Sequence, residues 1–252
     1  MRKAAGFTLL GALLLSVPAL SPANAGTFFI RASAGFASQS LEDWNDQIDG
    51  VNEVFQSGGI PAPFDNFGGA IPFGIEAGYQ PNPLLALSVG VFRQSDQADN
   101  TYSDASGLFT LDSELALTSV TGAVSYWLPN TEGVFMGADV GMGFGTAKQN
   151  FVFRDFSDPA NDLDVIGDWS GNGLVAGVFV GYQYQVPSGF LLHGRVGYQF
   201  QNLGEFDGDL TSPQLGSGSS PPVDFLITGQ EMDTDFSGIQ LLVGIGFAFG
   251  GP

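Results

Sequence analysis

From Ile239 to Phe249 every second residue is large and apolar (Ile239, Leu241, Val243, Ile245, Phe247, Phe249), and the positions opposite them are glycine, glutamine, leucine or alanine. Alternation at period two marks a strand with one apolar face. It recurs in seven further segments. Thr27 to Ala37 sets Phe28, Ile30, Ala32, Ala34 and Phe36 against Arg31, Ser33 and Gly35, and Ile71 to Gln80 sets Phe73, Ile75, Ala77 and Tyr79 against Glu76. Leu84 to Gln94 and Leu111 to Leu128 follow, then strands carrying Val134 to Phe144, Leu174 to Tyr184 and Leu192 to Phe200. In the fourth segment Leu115 and Leu117 are odd-numbered whereas Val120, Val124 and Tyr126 are even, which predicts a bulge near Thr118.

Eight such strands carry far more large apolar side chains than they can enclose. An eight-stranded barrel is only just wide enough for side chains to fill, so the small and polar face must point inward and the apolar face outward, into lipid. A soluble lipocalin-like barrel would need the reverse arrangement. Closing the sheet pairs every backbone amide, as a hydrocarbon environment demands. The connections agree. Pro81-Asn82-Pro83, Pro129 to Gly133 and Pro187-Ser188-Gly189 are short, and they alternate with long stretches near Ser38–Ala70, Ser95–Thr110, Gln149–Asn172 and Glu205–Thr234. Short periplasmic turns and long extracellular loops have this pattern. The expected fold is therefore all-β: a transmembrane, eight-stranded, antiparallel up-and-down β-barrel in the bacterial outer membrane, with outer-membrane lipid as its surroundings. Tyr79, Tyr126, Tyr184, Phe190 and Phe249 fall at turn-side strand ends, where an interfacial aromatic girdle belongs.

The N-terminus sets the compartment. Arg2 and Lys3 precede an apolar run from Ala4 to Leu20, and Ala23-Asn24-Ala25 follows. These are the parts of a secretory signal peptide spanning 1–25, with a barrel domain over 26–252. The run is shorter than the ~18–20 residues of a membrane-spanning helix. All 26 acidic residues lie after Ala25 and two of the seven basic ones before it, so the mature charge is 5 − 26 = −21. Binding nucleic acid requires a basic footprint, which excludes that partner. The absence of cysteine excludes disulfides and thiolate metal sites.

The segment Gly244-Ile245-Gly246-Phe247-Ala248-Phe249 resembles the C-terminal assembly signal of small outer-membrane barrels of the OmpA, OmpX and OmpW type, in which glycine is followed by two residues, an aromatic, one residue and an aromatic. Leu242 stands where a polar residue is usual, and Gly250-Gly251-Pro252 follow the last aromatic. The resemblance implies that Gly244, Phe247 and Phe249 are read by the barrel assembly machinery. The opening Gly26-Thr27-Phe28-Phe29-Ile30-Arg31-Ala32 is similar to the start of mature OmpW-type proteins, which would imply passage of small hydrophobic molecules.

Candidate chemistry is sparse. His193, the one histidine, could join a serine and a carboxylate in a lipid-modifying triad. Its parity and its position four residues beyond Gly189 suit a hydrogen-bonding lumen residue better. Carboxylates crowd the loops (Glu42, Asp43, Asp46, Asp49 and Glu53; Asp155, Asp158, Asp162, Asp164 and Asp168; Glu205 to Asp235) and are the oxygen ligands that divalent cations such as Ca²⁺ or Mg²⁺ take, but no EF-hand spacing occurs. Solvated loops are the simpler account. Ser40-Leu41-Glu42-Asp43 resembles a capping box, and Leu41, Trp44, Ile48, Val51 and Phe55 recur at helical spacing, predicting a short amphipathic helix over the barrel mouth or on the membrane surface despite Gly50. Counting from the short turns places Arg31, Glu76, Asp139 and Arg195 at one level on the inward face, as an ion-pair cluster closing the lumen. No catalytic residue, cofactor or metal ligand is assigned, and the function expected is structural or surface-interacting, with a polar-plugged lumen.

Overall fold

The computed structural model describes residues 26–59, 64–203, 206–222, 232 and 234–250. The expected signal peptide, residues 1–25, lies outside these, as do Gly251, Pro252 and the loop carboxylates Glu205, Asp224, Glu231 and Asp233. The strands are β1 (Thr27–Ala37), β2 (Phe73–Asn82), β3 (Leu85–Ser103), β4 (Gly107–Trp127), β5 (Val134–Asp155), β6 (Leu163–Gln185), β7 (Phe190–Asn202), β8 (Asp207–Ser212), β9 (Gly216–Ser219) and β10 (Gly238–Gly250). Helix α1 (Glu42–Ser57) follows β1. Strands β1 to β7 and β10 form a closed antiparallel ring in which β10 pairs with both β7 and β1. The β8–β9 hairpin adds to β6 outside the ring.

The outward face carries the apolar residues. Phe28, Ile30, Ile75, Val91, Val140, Leu174, Val178, Leu241, Phe247 and Phe249 are all exposed. On β6 the outward apolar run lasts from Leu174 to Tyr184. Eleven residues rising ~3.3 Å each at a tilt of about 40° cover roughly 25–28 Å, the height of the apolar band on outer-membrane barrels. At the short-turn end, Phe28 lies 4.7 Å from Tyr79 and 6.2 Å from Phe249, and Phe190 lies 5.6 Å from Phe247, so the aromatics there form contacts between strands.

Two expectations are corrected by the upper half of the molecule. The second and third long loops are strand for most of their length. β3 to β6 continue about ten residues beyond the apolar band, leaving only residues 104–106 and 156–162 as connections. In the overhang the alternation keeps its phase, but its chemistry inverts. Gln97, Asp99, Glu114, Lys148, Asp168 and Ser170 point outward to water, while Ala98, Leu111, Leu115, Phe151, Val165 and Trp169 point inward and are buried. For the same reason there is no bulge at Thr118. The pairings of β4 with β3 and with β5 run through that residue without a register shift. Leu115 and Leu117 share the inward face with Ser119, Thr121 and Ser125. They are apolar because they lie above the membrane, where the inside must be the dry side.

Helix α1 covers this apolar concave surface. Trp44, Ile48 and Val51 are buried in one core with Leu111, Leu115, Leu117, Phe151, Val165, Trp169, Leu203, Phe206 and Phe236. The Trp44 and Trp169 rings meet at 6.4 Å, and each indole N–H is satisfied, on the Thr234 hydroxyl at 3.1 Å and the Ser220 carbonyl at 2.8 Å. The expected capping box does not form. The N-cap is Leu41, with no side-chain cap hydrogen bond, because Leu41 is drawn into the core and the helix therefore starts one residue later than Ser40 would require.

Within the apolar band the lumen is packed by four inward phenylalanines, each lying over a glycine of a neighbouring strand. Phe29 lies over Gly78, Phe92 over Gly74 (and over Gly90 of its own strand), Phe135 over Gly181, and Phe179 over Gly137. A Cβ on Gly181 would fall 2.5 Å from the Phe135 ring, and one on Gly137 2.5 Å from the Phe179 ring. Glycine is required at both positions for close approach, not for an unusual φ. Gly181→Ala is expected to destabilise the barrel by about 1–3 kcal/mol, the cost of overpacking a filled core. The midpoint of heat-dependent electrophoretic mobility reads this directly, and an unchanged midpoint would mean that the ring has room to move.

Candidate functional site

The interior of the barrel carries its buried charge. Arg31 on β1 and Glu76 on β2 are register partners, and both are almost completely buried. Arg31 Nη2 donates to Glu76 Oε1 at 2.6 Å, and Arg31 Nη1 reaches Gln183 Oε1 at 3.5 Å. Arg195 on β7 lies across the lumen with Nη1 3.9 Å from Glu76 Oε2. One carboxylate thus serves two guanidiniums. Each guanidinium also faces aromatic rings, Arg31 over Phe29 at 5.1 Å and Arg195 over Phe92 and Phe179 at 5.1 and 4.8 Å. Ring faces attract cations most where water is excluded, so the lumen phenylalanines both fill space and hold the arginines.

Asp139 is brought close but is not paired. It is buried on β5 and, among the described residues, has no cation within 4.0 Å. It shares with Arg195, Gln199 and Gln240 the wall of a cavity of about 10 Å³, which is room for roughly one water. His193, also buried, has Nε2 3.0 Å from Ser33 Oγ, and its Nδ1 has no hydrogen-bond partner among the described residues. The carboxylate that would orient a triad histidine is missing from that side. Leu242, opposite Arg195 in register, is fully buried on the lumen face.

Above the charged layer the polar filling becomes amide. Gln94 donates to Gln201 at 2.8 Å, Gln201 to Gln199 at 2.6 Å, and Gln149 reaches up to Gln47 of α1 at 2.6 Å. Beyond these lies the apolar core beneath α1. The lumen is therefore closed twice, by ion pairs and amides within the band and by a hydrophobic core above it. The four phenylalanines and the upper core were missed in the sequence, although their signal is there: Phe29, Phe92, Phe135 and Phe179 all sit on the phase opposite the lipid-facing residues.

The loop carboxylates work locally. Among the described residues no group of three or more acidic or histidine side chains converges as a metal site. Arg154 lies 2.6 Å from Asp164 and 3.8 Å from Asp162, and the ion pair holds the Asp164 carboxyl below its ordinary value. At the two hairpin tips, Asp104 accepts from the Ser106 hydroxyl and amide and the Gly107 amide, and Asp155 accepts from Ser157 and Asn161. The Ser106 hydroxyl and amide bonds lower the Asp104 pKa to about 2. A carboxyl whose pKa is depressed by folding contributes order that is complete above its unfolded value, near 4, and is lost as pH falls through the folded one. The Ser106 and Gly107 amides are therefore expected to stay protected at pH 5 and to lose protection between about pH 4 and 2. Loss of protection already at pH 5 would mean that the Asp104 bonds do not hold the tip.

The outward nonpolar face of Phe247 and Phe249 and the inward position of Gly244, against the His193 ring, place the three C-terminal motif residues on the strand that closes the ring.

No family model matches the chain, and no curated protein matches it. Solved structures do. A major outer membrane protein from Thermus thermophilus shares 16% identity, covering 89% of this chain and 99% of that one with a TM-score of 0.52. The outer membrane protein OprG from Pseudomonas aeruginosa (12% identity, 90% and 97% covered, TM-score 0.46) and Neisserial surface protein A (14%, 89% and 99%, 0.41) also match. At these identities the likeness is one of fold. With its closed ring of eight antiparallel strands and its apolar outer band, the chain has the fold of the small eight-stranded outer-membrane β-barrels.

Proposed function

We propose that this protein is a sealed outer-membrane barrel whose task is to hold a folded sheet above the membrane, as a structural or surface-interacting component of the cell envelope. The observation that carries this is the overhang. β3 to β6, widened by β8 and β9, stand above the apolar band with a polar outer face and a core closed by α1. A pore has no use for a hydrophobic core across its mouth. Passage of small hydrophobic molecules would require α1 to leave Trp169, Leu115 and Phe151, and no catalytic step is assigned to the Ser33–His193 pair. The Arg31–Glu76–Arg195 group, with Asp139 beside it, acts as the lower seal. Phe247 and Phe249, outward on the closing strand, suit recognition by the barrel assembly machinery while β10 seeks β1.

The chain has no cysteine, so single cysteines report position cleanly. Gln97→Cys and Asp168→Cys, on the outer face of the overhang, should react with a membrane-impermeant maleimide on intact cells, whereas Gln80→Cys at the short-turn end should react only after the envelope is opened. Labelling of Gln80→Cys alone on intact cells would reverse the orientation and end the proposal.

A further inference from the structure

Five basic residues follow position 25, and four lie in the lumen or beside carboxylates, in contact or in register. Arg31 and Arg195 are sealed in the lumen, Arg154 is held by Asp162 and Asp164, and Lys148 stands in register between Glu114 and Asp168. The fifth, Arg93, is exposed on the outer wall of β3. Its register row reads Phe73, Arg93, Thr118, Phe144, Asn172 across five strands. The outward residues one step below on the same strands, Ile75, Val91, Val120, Met142 and Leu174, belong to the apolar band, and Ser95, Thr146 and Ser170 above belong to the polar overhang. Arg93 thus stands on the boundary between hydrocarbon and water at the long-loop end.

Its surroundings lack the expected counter-charge. Among the described residues no carboxylate lies within 4.0 Å of Arg93, and its register partners, Phe73 and Thr118, are uncharged, whereas those of Lys148, which also has no carboxylate within 4.0 Å, are both acidic. Among the described residues its side chain hydrogen-bonds the Thr118 hydroxyl, 3.5 Å from Nη1, and the Arg93–Thr118 pair is flanked in register by the exposed Phe73 on one side and Phe144 on the other. A planar guanidinium beside a hydroxyl donor suits a tetrahedral oxyanion. At that depth the phosphates present are those of lipid headgroups, and the two phenylalanines would lie against the chains beneath. We infer that Arg93 and Thr118 form a seat for the phosphate of an anionic outer-leaflet lipid. The inference goes beyond the display role and depends only on the barrel's position in the membrane.

The test compares reconstituted full-length protein in vesicles of phosphatidylcholine alone and of phosphatidylcholine mixed with phosphatidylglycerol. The difference in heat-modifiability midpoint between wild type and Arg93→Gln is expected to widen as the anionic lipid is added. The acidic loops respond alike in both proteins and so cancel. Arg93→Lys should keep part of the effect, and Lys148→Gln, whose lysine sits between two carboxylates above the band, should show no widening. The lost contact corresponds to about a fivefold weaker preference for the anionic lipid at this site. A wild-type-to-Arg93→Gln difference that is equal in both vesicles, or an equal widening for Lys148→Gln, would overturn the seat. Matching stabilisation of detergent-solubilised wild type by inorganic phosphate would overturn its assignment to a lipid. Correct membrane insertion of all variants, read by the mobility shift itself, separates these outcomes from failure of the barrel.

Discussion

Glu76→Ala is expected to lower the stability of the folded barrel severely and to leave it just as impermeable. The substitution leaves Arg31, 2.6 Å from the lost carboxylate, and Arg195, at 3.9 Å, buried in a lumen lined by phenylalanine. Breaking a buried pair by removing one partner costs about 3–5 kcal/mol, because the remaining charge is uncompensated. Here two cations lose the same anion, and Asp139, the nearest other carboxylate, makes no ion pair within 4.0 Å among the described residues to replace it. Permeability should not follow stability, since the glutamine layer and the apolar core under α1 still close the path. Unfolding midpoints with and without the substitution give the first quantity and bilayer conductance the second. Unaltered stability would remove the ion-pair cluster from the account, and a new conductance would mean that the charged layer is the sole seal.

Trp44→Ala should act on the overhang alone. The indole is fully buried, packs against Trp169 and Phe67, and bonds Thr234. Removing a buried tryptophan costs about 3–5 kcal/mol through lost transfer energy and the cavity left behind. The overhang and the membrane-spanning ring have separate fillings, so the loss should appear as protease cleavage of residues 42–57 and of the hairpin tips, with the mobility shift of the barrel retained. Loss of both together would show that the two halves fold as one unit.

These two experiments also divide the molecule where the sequence stops being readable. The ring of eight strands, its short turns and its lipid-facing phase are legible, since the limits of β1 and the outward rows of β5, β6 and β10 follow from alternation alone. The overhang is not. Period two looks the same whichever medium lies outside, so Leu115 and Leu117 read as lipid-facing and a bulge is needed to bring them there. In fact the strand runs straight, and the solvent around it changes. The outward residues carry that change: β3 passes from Val91 to Arg93, Ser95 and Gln97, and β6 from Leu174 to Asn172, Ser170 and Asp168. The candidate cluster is legible where two residues are direct partners, as Arg31 and Glu76 are. Counting from their turns puts Asp139 and Arg195 level, and both line one small cavity, but Asp139 makes no ion pair within 4.0 Å among the described residues. Counting gives height and not reach: whether the short aspartate meets a guanidinium held over Phe92 and Phe179 is set by side-chain packing, which strand length does not carry. The helix is legible from its spacing, whereas its start is decided by burial of Leu41 and not by the serine before it.

The central claim is that the lumen is sealed, and the conductance of the wild-type protein in planar lipid bilayers tests it most directly. The folded barrel should insert without producing discrete current steps at any applied voltage below that which ruptures the bilayer. Reproducible single-channel openings from that same folded form would contradict both seals at once.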